Sequence, residues 1–462
     1  MHRQRLIPLI LVVAVGLAAC QAGDNPTATP DPTELVAESP TASPTPTAPV
    51  ALRPEQVFSL VSPAIAFVDT PLGTGSGMLV DREWLITNAH VVWPFDAVRI
   101  VFADGTEYID APVEAWDLLA DLAVVRLPGD LDVEPVRFVD PSGMPTGSEL
   151  FLIGYPAESE EFPQPTISSG VLSRFRDWPT AGFTYVQTDA SIAGGQSGGA
   201  LVTNTGEVVG LSGFKFADAF GLALAAPIVE ERGGALIEGT DRDSFNDRRL
   251  PATAGDVRLD FSLANYYDQR AFVVRQPAGT VVDVSVDSIN DAVIDVTDPY
   301  GAAIGSADEY ASGVETLAFT VDIGVPFIVL ASQLTVDPGD FQITSNVGLA
   351  AVGDPDDGRL LRVGQTYLAN IDYPGDLDMF EIDLIEGQAV RFTVESLNID
   401  PDLVIDTSDN LDDELAYDDD SGGGLFGTDA RIDFTPPSTG RYVLSVADVL
   451  ATQNGGYFIT IE

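Results

Sequence analysis

The sequence predicts an all-β chain, and three features carry that expectation. Short apolar runs recur throughout, each bounded by Gly, Pro, Asp or Asn, as strands between tight turns require. Long stretches of helical periodicity are rare. The C-terminal part repeats its own pattern of strands and turns. With 45% hydrophobic residues, the 462-residue chain can bury substantial cores, and its length allows roughly two to four domains.

The first 20 residues read as a secretory leader. Arg3 and Arg5 give a positive start, residues 9–18 an apolar core, and Leu17-Ala18-Ala19-Cys20 a cleavage region. The apolar run is short for a membrane span, which leaves a transmembrane anchor as the lesser alternative. Leu-Ala-Ala-Cys resembles a bacterial lipobox, which implies that Cys20 is lipidated and anchors the chain outside the cytoplasmic membrane. Cys20 is also the only cysteine, so no intramolecular disulfide can form. Residues 21–50 are rich in Pro and Thr, as in Ser43-Pro44-Thr45-Pro46-Thr47, and are expected to be a disordered stalk.

The formal net charge is −49, and Lys215 is the only lysine. Such a surface repels polyanions, so nucleic acid is excluded as a partner class. It suits calcium-rich or saline surroundings, or basic partners.

Residues 51–238 contain the strand-like runs 64–68, 77–80, 84–87, 98–102, 122–127, 149–154, 184–188, 200–202 and 208–211. Turns such as Ala103-Asp104-Gly105-Thr106 and Asn204-Thr205-Gly206-Glu207 separate them. This spacing suits a pair of antiparallel barrels or a sandwich. Helices are expected at 54–61 and near 227–237. Three residues in this region carry chemistry. Ser197 lies within Gly194-Gly195-Gln196-Ser197-Gly198-Gly199, His90 ends an apolar run, and Asp121 opens an apolar strand. The order His, Asp, Ser is one known arrangement of a nucleophilic triad. Only two histidines exist, and His2 lies in the leader, so an imidazole base in the processed chain must be His90.

Six ordered blocks carry a resemblance. Gly73-Thr74-Gly75-Ser76-Gly77, Thr87-Asn88-Ala89-His90-Val91-Val92, Asp121-Leu122-Ala123-Val124, Ser169-Gly170-Val171-Leu172-Ser173, Gln187-Thr188-Asp189-Ala190 and Gly195-Gln196-Ser197-Gly198-Gly199 resemble, in order, the HtrA/Deg-type trypsin-like serine proteases. The resemblance implies a chymotrypsin-like double β-barrel with the site between the barrels. Ser197 would be the nucleophile, His90 its base, and Asp121 the residue that orients the ring. The amides of Gly195, Gln196 and Ser197 would form the oxyanion hole. The specificity pocket would be built from Ser191, Ile192, Leu222, Ala223 and Leu224, an apolar lining suited to small or medium aliphatic side chains. Loops around 166–178 and 193–196 could gate such a site by ordering on binding. The PDZ pattern that commonly follows in these proteases is not found here.

After a polar connector at 239–250, two β-sandwiches are expected at 251–347 and 353–462. Val282-Asp283-Val284-Ser285-Val286-Asp287-Ser288-Ile289-Asn290 aligns with Val390-Arg391-Phe392-Thr393-Val394-Glu395-Ser396-Leu397-Asn398, and Asp268-Gln269-Arg270-Ala271-Phe272 corresponds to Asp376-Leu377-Asp378-Met379-Phe380. The second copy, with Gly440-Arg441-Tyr442-Val443-Leu444, resembles bacterial pre-peptidase C-terminal (PPC) domains, which are jelly-roll-like sandwiches. The first copy is a degenerate match. Neither copy holds histidine or cysteine, so catalysis is not expected there. Asp418-Asp419-Asp420-Ser421-Gly422 could offer oxygens to calcium, but no EF-hand spacing accompanies it, and no metal ligand is assigned. The expected function is a cofactor-independent serine endopeptidase acting on extracytoplasmic polypeptides, whose sandwiches bind substrate or a surface polymer. The alternative is a cell-surface adhesion lipoprotein with a gated or inactive protease-like domain.

Overall fold

Two closed barrels of six strands each follow one another in a computed structural model. It describes residues 50–462 apart from 130, 158–162, 217–219, 240–254, 256, 265–267, 336 and 408–413. The leader, Cys20, the stalk up to residue 49 and nearly all of the 239–250 connector lie outside the described residues. The first barrel comprises β1 (Ile65–Thr70), β2 (Gly73–Asp81), β3 (Trp84–Thr87), β4 (Ala97–Phe102), β5 (Glu107–Asp117) and β6 (Leu122–Arg126). Their order is β1-β2-β3-β6-β5-β4, and β1 closes the barrel on β4. The second barrel comprises β7 (Glu149–Gly154), β8 (Thr166–Trp178), β9 (Phe183–Thr188), β10 (Ala200–Thr203), β11 (Val208–Phe216) and β12 (Phe220–Ala225). Its order, β7-β8-β9-β12-β11-β10, repeats that of the first.

Alternation along β6 explains how the barrels share a core. Ala123 and Val125 point into the first barrel beside Val68 and Leu85. Leu122 and Val124 point the other way, into a cluster with Phe151, Ile153 and Tyr155 of the second barrel. The helices α1 (Pro54–Val61) and α3 (Ala226–Glu238) cover this cluster, α1 burying Val57 and Val61, α3 burying Val229 and Leu236. Both match expectation. Pro54 pre-sets the first turn of α1, and α3 stops at Gly239, whose φ of 67° a side chain would disfavour. A single helical turn, α2 (Ala89–Val92), follows β3.

Two strands depart from expectation. The stretch 166–178, expected as loop, is the long strand β8, paired on both sides with β7 and β9. The run 107–117 also carries a strand that its charged residues and Pro112 conceal.

Beyond the barrels lie four further sheets in two pairs. In the first pair, Arg258–Leu263, Gly339–Ser345, Val281–Ser288 and Gly313–Thr320 form one sheet. Ala303–Ala307, Ala292–Thr297, Pro326–Gln333, Arg270–Arg275 and Ala350–Ala351 form the other. The second pair repeats this order with Gln365–Ile371, Gly455–Ile461, Val390–Ser396 and Ala430–Phe434, against Ala416–Asp418, Pro401–Thr407, Gly440–Asp448, Leu377–Leu384 and Arg359–Leu361. Inward residues of both sheets, such as Ile371, Phe392, Phe380 and Leu444, share one core. The second pair packs on the barrels through aromatic rings, Trp178 edge-on to Phe458 and Phe214 tilted against Phe426, with centroids 5.8 and 5.7 Å apart. Among the described residues no helix is long and apolar enough to cross a membrane.

Candidate active site

Pairing of β3 with β6 brings His90 and Asp121 together. Thr87 faces Ala123 across the two strands, so the residues just after β3 and just before β6 emerge at the same barrel end. Asp121 is 3% exposed and takes φ of 52°, a left-handed conformation that Asp tolerates better than most side chains. Its Oδ2 lies 2.7 Å from His90 Nδ1, and its Oδ1 accepts the His90 backbone N–H at 2.9 Å. The Asp121 carbonyl accepts the Asn88 side-chain amide at 2.9 Å. Both carboxylate oxygens are thus committed to His90, and Nε2 is left as the other ring nitrogen. Desolvation by the surrounding protein lowers the affinity of the half-exposed imidazole for its proton, but the charge and hydrogen bond of Asp121 outweigh it and hold the pKa above 6.5.

Ser197 sits between glycines that only glycine can serve. Gly195 and Gly198 have φ of 86° and 83°. A Cβ on Gly198 would stand 1.9 Å from the Ser76 carbonyl oxygen and 2.5 Å from Thr87 Oγ1. Ser76, fully buried on β2, ties this loop to the first barrel. Its N–H donates to the Ser197 carbonyl at 2.7 Å and its hydroxyl to the Gly195 carbonyl at 2.8 Å. The same hydroxyl accepts the Tyr155 N–H at 2.8 Å. Ser197 Oγ donates weakly to the Gly213 carbonyl at 3.5 Å, and a Cβ on Gly213 would lie 3.0 Å from Asn88 Nδ2. Ser197 therefore lies on the same patch as Asn88, His90 and Asp121. No hydrogen bond joins Ser197 Oγ to the His90 ring among the described residues. Bonds of this kind commonly tighten only around a substrate.

The loop before Ser197 is locally fixed. Ala157 N–H donates to the Gly194 carbonyl at 2.6 Å, and a trans peptide plane then turns the Gly195 N–H the opposite way. Among the described residues, the amides of Gly195 and Ser197 have no protein acceptor, as an anion-binding pair requires. Gln196 differs from expectation. Its amide closes a turn onto the Ala193 carbonyl at 3.2 Å, while its side chain accepts from Ala193 N–H at 2.7 Å and donates to Thr166 Oγ1 at 3.2 Å. Gln196 braces the loop rather than offering an amide to an oxyanion.

The expected pocket residues separate into two groups. Ile192 and Ala223 pack in one cluster with Ala190, and the Ile192 side chain covers Gly221. Ser191 is exposed beside them. Leu222 and Leu224, neighbours of Ala223 on a strand, point to the opposite face and fill the inter-barrel core beside Tyr155 and Val229. These two leucines are core residues and not a pocket lining. Ser76, Asn88 and Gly213, which were assigned no role from the sequence, hold the loops together instead. Small residues in a strand such as Gly75-Ser76-Gly77 signal close backbone approach, which was the available clue.

Two acidic groups bear on cation binding. In the 418–422 run, Asp418 Oδ2 accepts the backbone N–H of Ser421 and of Arg431, so it caps its own loop. Oxygens of Asp354, Asp376 and Asp378 lie within 4.8 Å of one another.

The two closed six-stranded barrels match the architecture of a trypsin-like double barrel, and the His90–Asp121 pair and Ser197 lie near one another on it. Residues 75–211 match the family model described as a trypsin-like peptidase domain. The chain is 35% identical over 170 residues to the serine protease Do-like HtrA of Bacillus subtilis (strain 168), an alignment covering 34% of this chain and 38% of the relative. It is 29% identical over 149 residues to the periplasmic serine endoprotease DegP of Salmonella typhimurium, covering 30% of each. A solved HtrA-type protease with a tripeptide aligns over 44% of this chain and 74% of its own, at 24% identity and a TM-score of 0.37. The chain thus spans about two fifths or less of the length of these two curated relatives.

Proposed function

We propose that the chain is an HtrA-type serine endopeptidase that hydrolyses polypeptides outside the cytoplasm. The observation that carries this is the commitment of both Asp121 oxygens to His90, 2.7 Å at Nδ1 and 2.9 Å at the backbone N–H, beside the glycine-rich Ser197 loop. In this mechanism, Ser197 Oγ attacks the substrate carbonyl carbon while His90 Nε2 takes its proton. Asp121 keeps the proton on Nδ1 and stabilises the imidazolium. The negative oxygen that forms is received by the Gly195 and Ser197 amides. His90 then protonates the departing amine, and the acyl-enzyme is hydrolysed by water activated at the same nitrogen. No cofactor is needed for these steps. A pocket built around Ser191, Ile192 and Ala223 would favour small or medium aliphatic side chains.

The extracytoplasmic setting is supported by the leader-like N-terminus and by the periplasmic relative. In the same proposal Cys20 carries the lipid, residues 21–50 are a stalk, and the two sheet pairs, PPC-like in sequence, hold substrate or a surface polymer. The test pairs the full chain with Ser197→Ala, using casein and a fluorophosphonate probe. Cleavage and labelling by the parent alone are expected. Absence of both in the parent sinks the proposal, and labelling without cleavage replaces it with a gated or narrowly specific protease.

A further inference from the structure

We propose that Phe426, carried to the barrels by a loop of the second sheet pair, is a specificity residue of the Ser197 site. With Phe214 it forms an aromatic wall that selects a large apolar side chain in the substrate, a few residues from the bond cut. This rests on the endopeptidase reading above and adds to it a subsite that the barrels do not build alone.

The wall starts where β11 is open. β10 pairs with β11 only from Ala200 to Val202, opposite Leu211 to Val208. Ser212 is then held by the Ser197 loop, its carbonyl accepting the Gly198 N–H at 2.8 Å and its N–H donating to the Gly199 carbonyl at 2.9 Å. From Phe214 to Phe216 the strand pairs with β12 on one side, and among the described residues no strand pairs with it on the other. An extended polypeptide can add to such an edge. The edge begins beside Gly213, whose carbonyl lies 3.5 Å from Ser197 Oγ. Phe214 sits opposite Leu222, so its side chain points to the same inter-barrel face. There its ring meets Tyr185 at 6.2 Å and Phe426 at 5.7 Å between centroids. Burial, and after it the charge of Asp121, keep the Tyr185 phenol protonated, which puts this aromatic group on the Asp121 side of the site. The Phe426 ring lies within about 13 Å of Gly213 Cα, a span of about four residues of extended substrate.

The loop is shaped to bring Phe426 there. It runs Gly422-Gly423-Gly424-Leu425-Phe426-Gly427, an apolar pair among glycines. Gly424 takes φ of 69°, and a Cβ on it would stand 2.0 Å from Asp429 Oδ2. Turns in water favour polar residues, yet Leu425 and Phe426 pack against the inter-barrel cluster. Phe214 and Phe426 are each only part-buried, so neither side chain is used up in their contact. The internal repeat gives independent support. Between matching strands the first sheet pair has residues 308–312 and the second has 419–429. The longer loop is the one that carries Leu425 and Phe426 to the barrels.

The test uses the full chain and quenched peptides that differ at one residue, Phe or Ala. That residue is placed in turn two, three and four positions to either side of the cut, which mass spectrometry locates. The parent is expected to favour Phe by about tenfold in kcat/KM at one of these positions. Phe426→Ala should lower that ratio to about twofold or less. Phe426→Leu keeps an apolar side chain on Phe214 and should give a ratio between the two, which decides the matter even if Phe426→Ala does not fold. Phe458→Ala loosens the other aromatic contact of the second sheet pair, at Trp178, the end of β8 away from Thr166 and Gln196, and should keep the parent ratio. Fluorophosphonate labelling, which needs no peptide, reports the nucleophile in every variant. A labelled parent with no preference for Phe at any position overturns the proposal and leaves the endopeptidase reading standing. So does a parent-like ratio in Phe426→Ala and Phe426→Leu. A ratio lost equally in Phe458→Ala also overturns it, since the effect would then come from loosening the sheet pair. A parent that neither labels nor cleaves fails the endopeptidase reading, and this proposal with it.

Discussion

The side-chain amide of Asn398, in the second sheet pair, donates to the carbonyls of Leu118 and Leu119 at 2.5 and 3.1 Å. Those carbonyls belong to the short loop that ends at Asp121. Leu397, beside it, is buried in the inter-barrel cluster with Leu119 and Ala120. A residue far along the chain thus holds the backbone that presents the aspartate to His90. The second sheet pair is part of the scaffold of the candidate site.

Removing that amide should loosen the Asp121 loop without touching substrate. Asn398→Ala leaves two buried carbonyls short of a donor, at a cost of about 1–3 kcal/mol in stability. Because the loop positions a reacting group, kcat should fall about tenfold while KM stays within about twofold. Steady-state kinetics on a peptide substrate, with a urea melt alongside, separates the effects. Unchanged kcat in a folded variant would show that the contact is structural only.

The charge of Asp121 sets the pH at which His90 is a base. Burial pulls the imidazole pKa down, Asp121 pulls it up, and the net is above 6.5. In the proposed mechanism the neutral ring that accepts the Ser197 proton is lost as pH falls through this raised pKa. The acidic limb of kcat/KM should therefore lie above pH 6.5. In Asp121→Asn the raising contribution disappears while burial remains. The limb should move to lower pH, and kcat should drop by about four orders of magnitude as the tautomer is lost. A limb that does not move would detach Asp121 from the titration.

The barrels were legible in the sequence because their strands alternate or are buried on both faces, as in Leu122-Ala123-Val124-Val125. The candidate residues His90, Asp121 and Ser197 stand out in the sequence because small and polar residues recur around them in a fixed order. Strand β8 was not, since Ser168, Ser169 and Gly170 give no apolar alternation and only its pairing with β7 and β9 makes it a strand. Leu222 and Leu224 were misplaced because composition does not tell which face of a strand meets the pocket. The bond from Asn398 to Leu118 spans 280 residues, and no local pattern announces it.

Two glycines of the Ser197 loop should respond oppositely to a methyl group. At Gly198 the new Cβ would meet the Ser76 carbonyl oxygen at 1.9 Å with φ at 83°, so neither space nor conformation admits it. Gly198→Ala should cost more than about 3 kcal/mol and abolish fluorophosphonate labelling. At Gly194 the nearest neighbour is the Ala157 Cβ at 3.9 Å, an ordinary contact. Gly194→Ala should melt within about 0.5 kcal/mol of the parent. Equal melts for the two variants would refute this account of the loop.

Asp117 and Arg232 join the end of β5 to α3 beneath the same loop. Asp117 is fully buried, paired with Arg232, and accepts the N–H groups of Leu119 and Ala120 at 3.1 Å each. Burial outweighs these partners and raises its pKa from 3.8 to about 6. The folded chain therefore holds this proton more tightly than the unfolded one. Its contribution to stability declines as pH rises from about 4 to about 6 and is flat above. Arg232→Met removes the compensating charge and leaves the carboxylate alone. Above pH 6 the loss should be about 3–5 kcal/mol, whereas near pH 4 the protonated Asp117 needs no partner and the loss should be much smaller. Urea unfolding of Arg232→Met against the parent at both pH values, each in a Ser197→Ala background to prevent self-cleavage, measures the difference. A loss of the same size at both values would mean that Arg232 contributes packing against Phe183, whose ring lies 5.0 Å from its guanidinium, rather than charge.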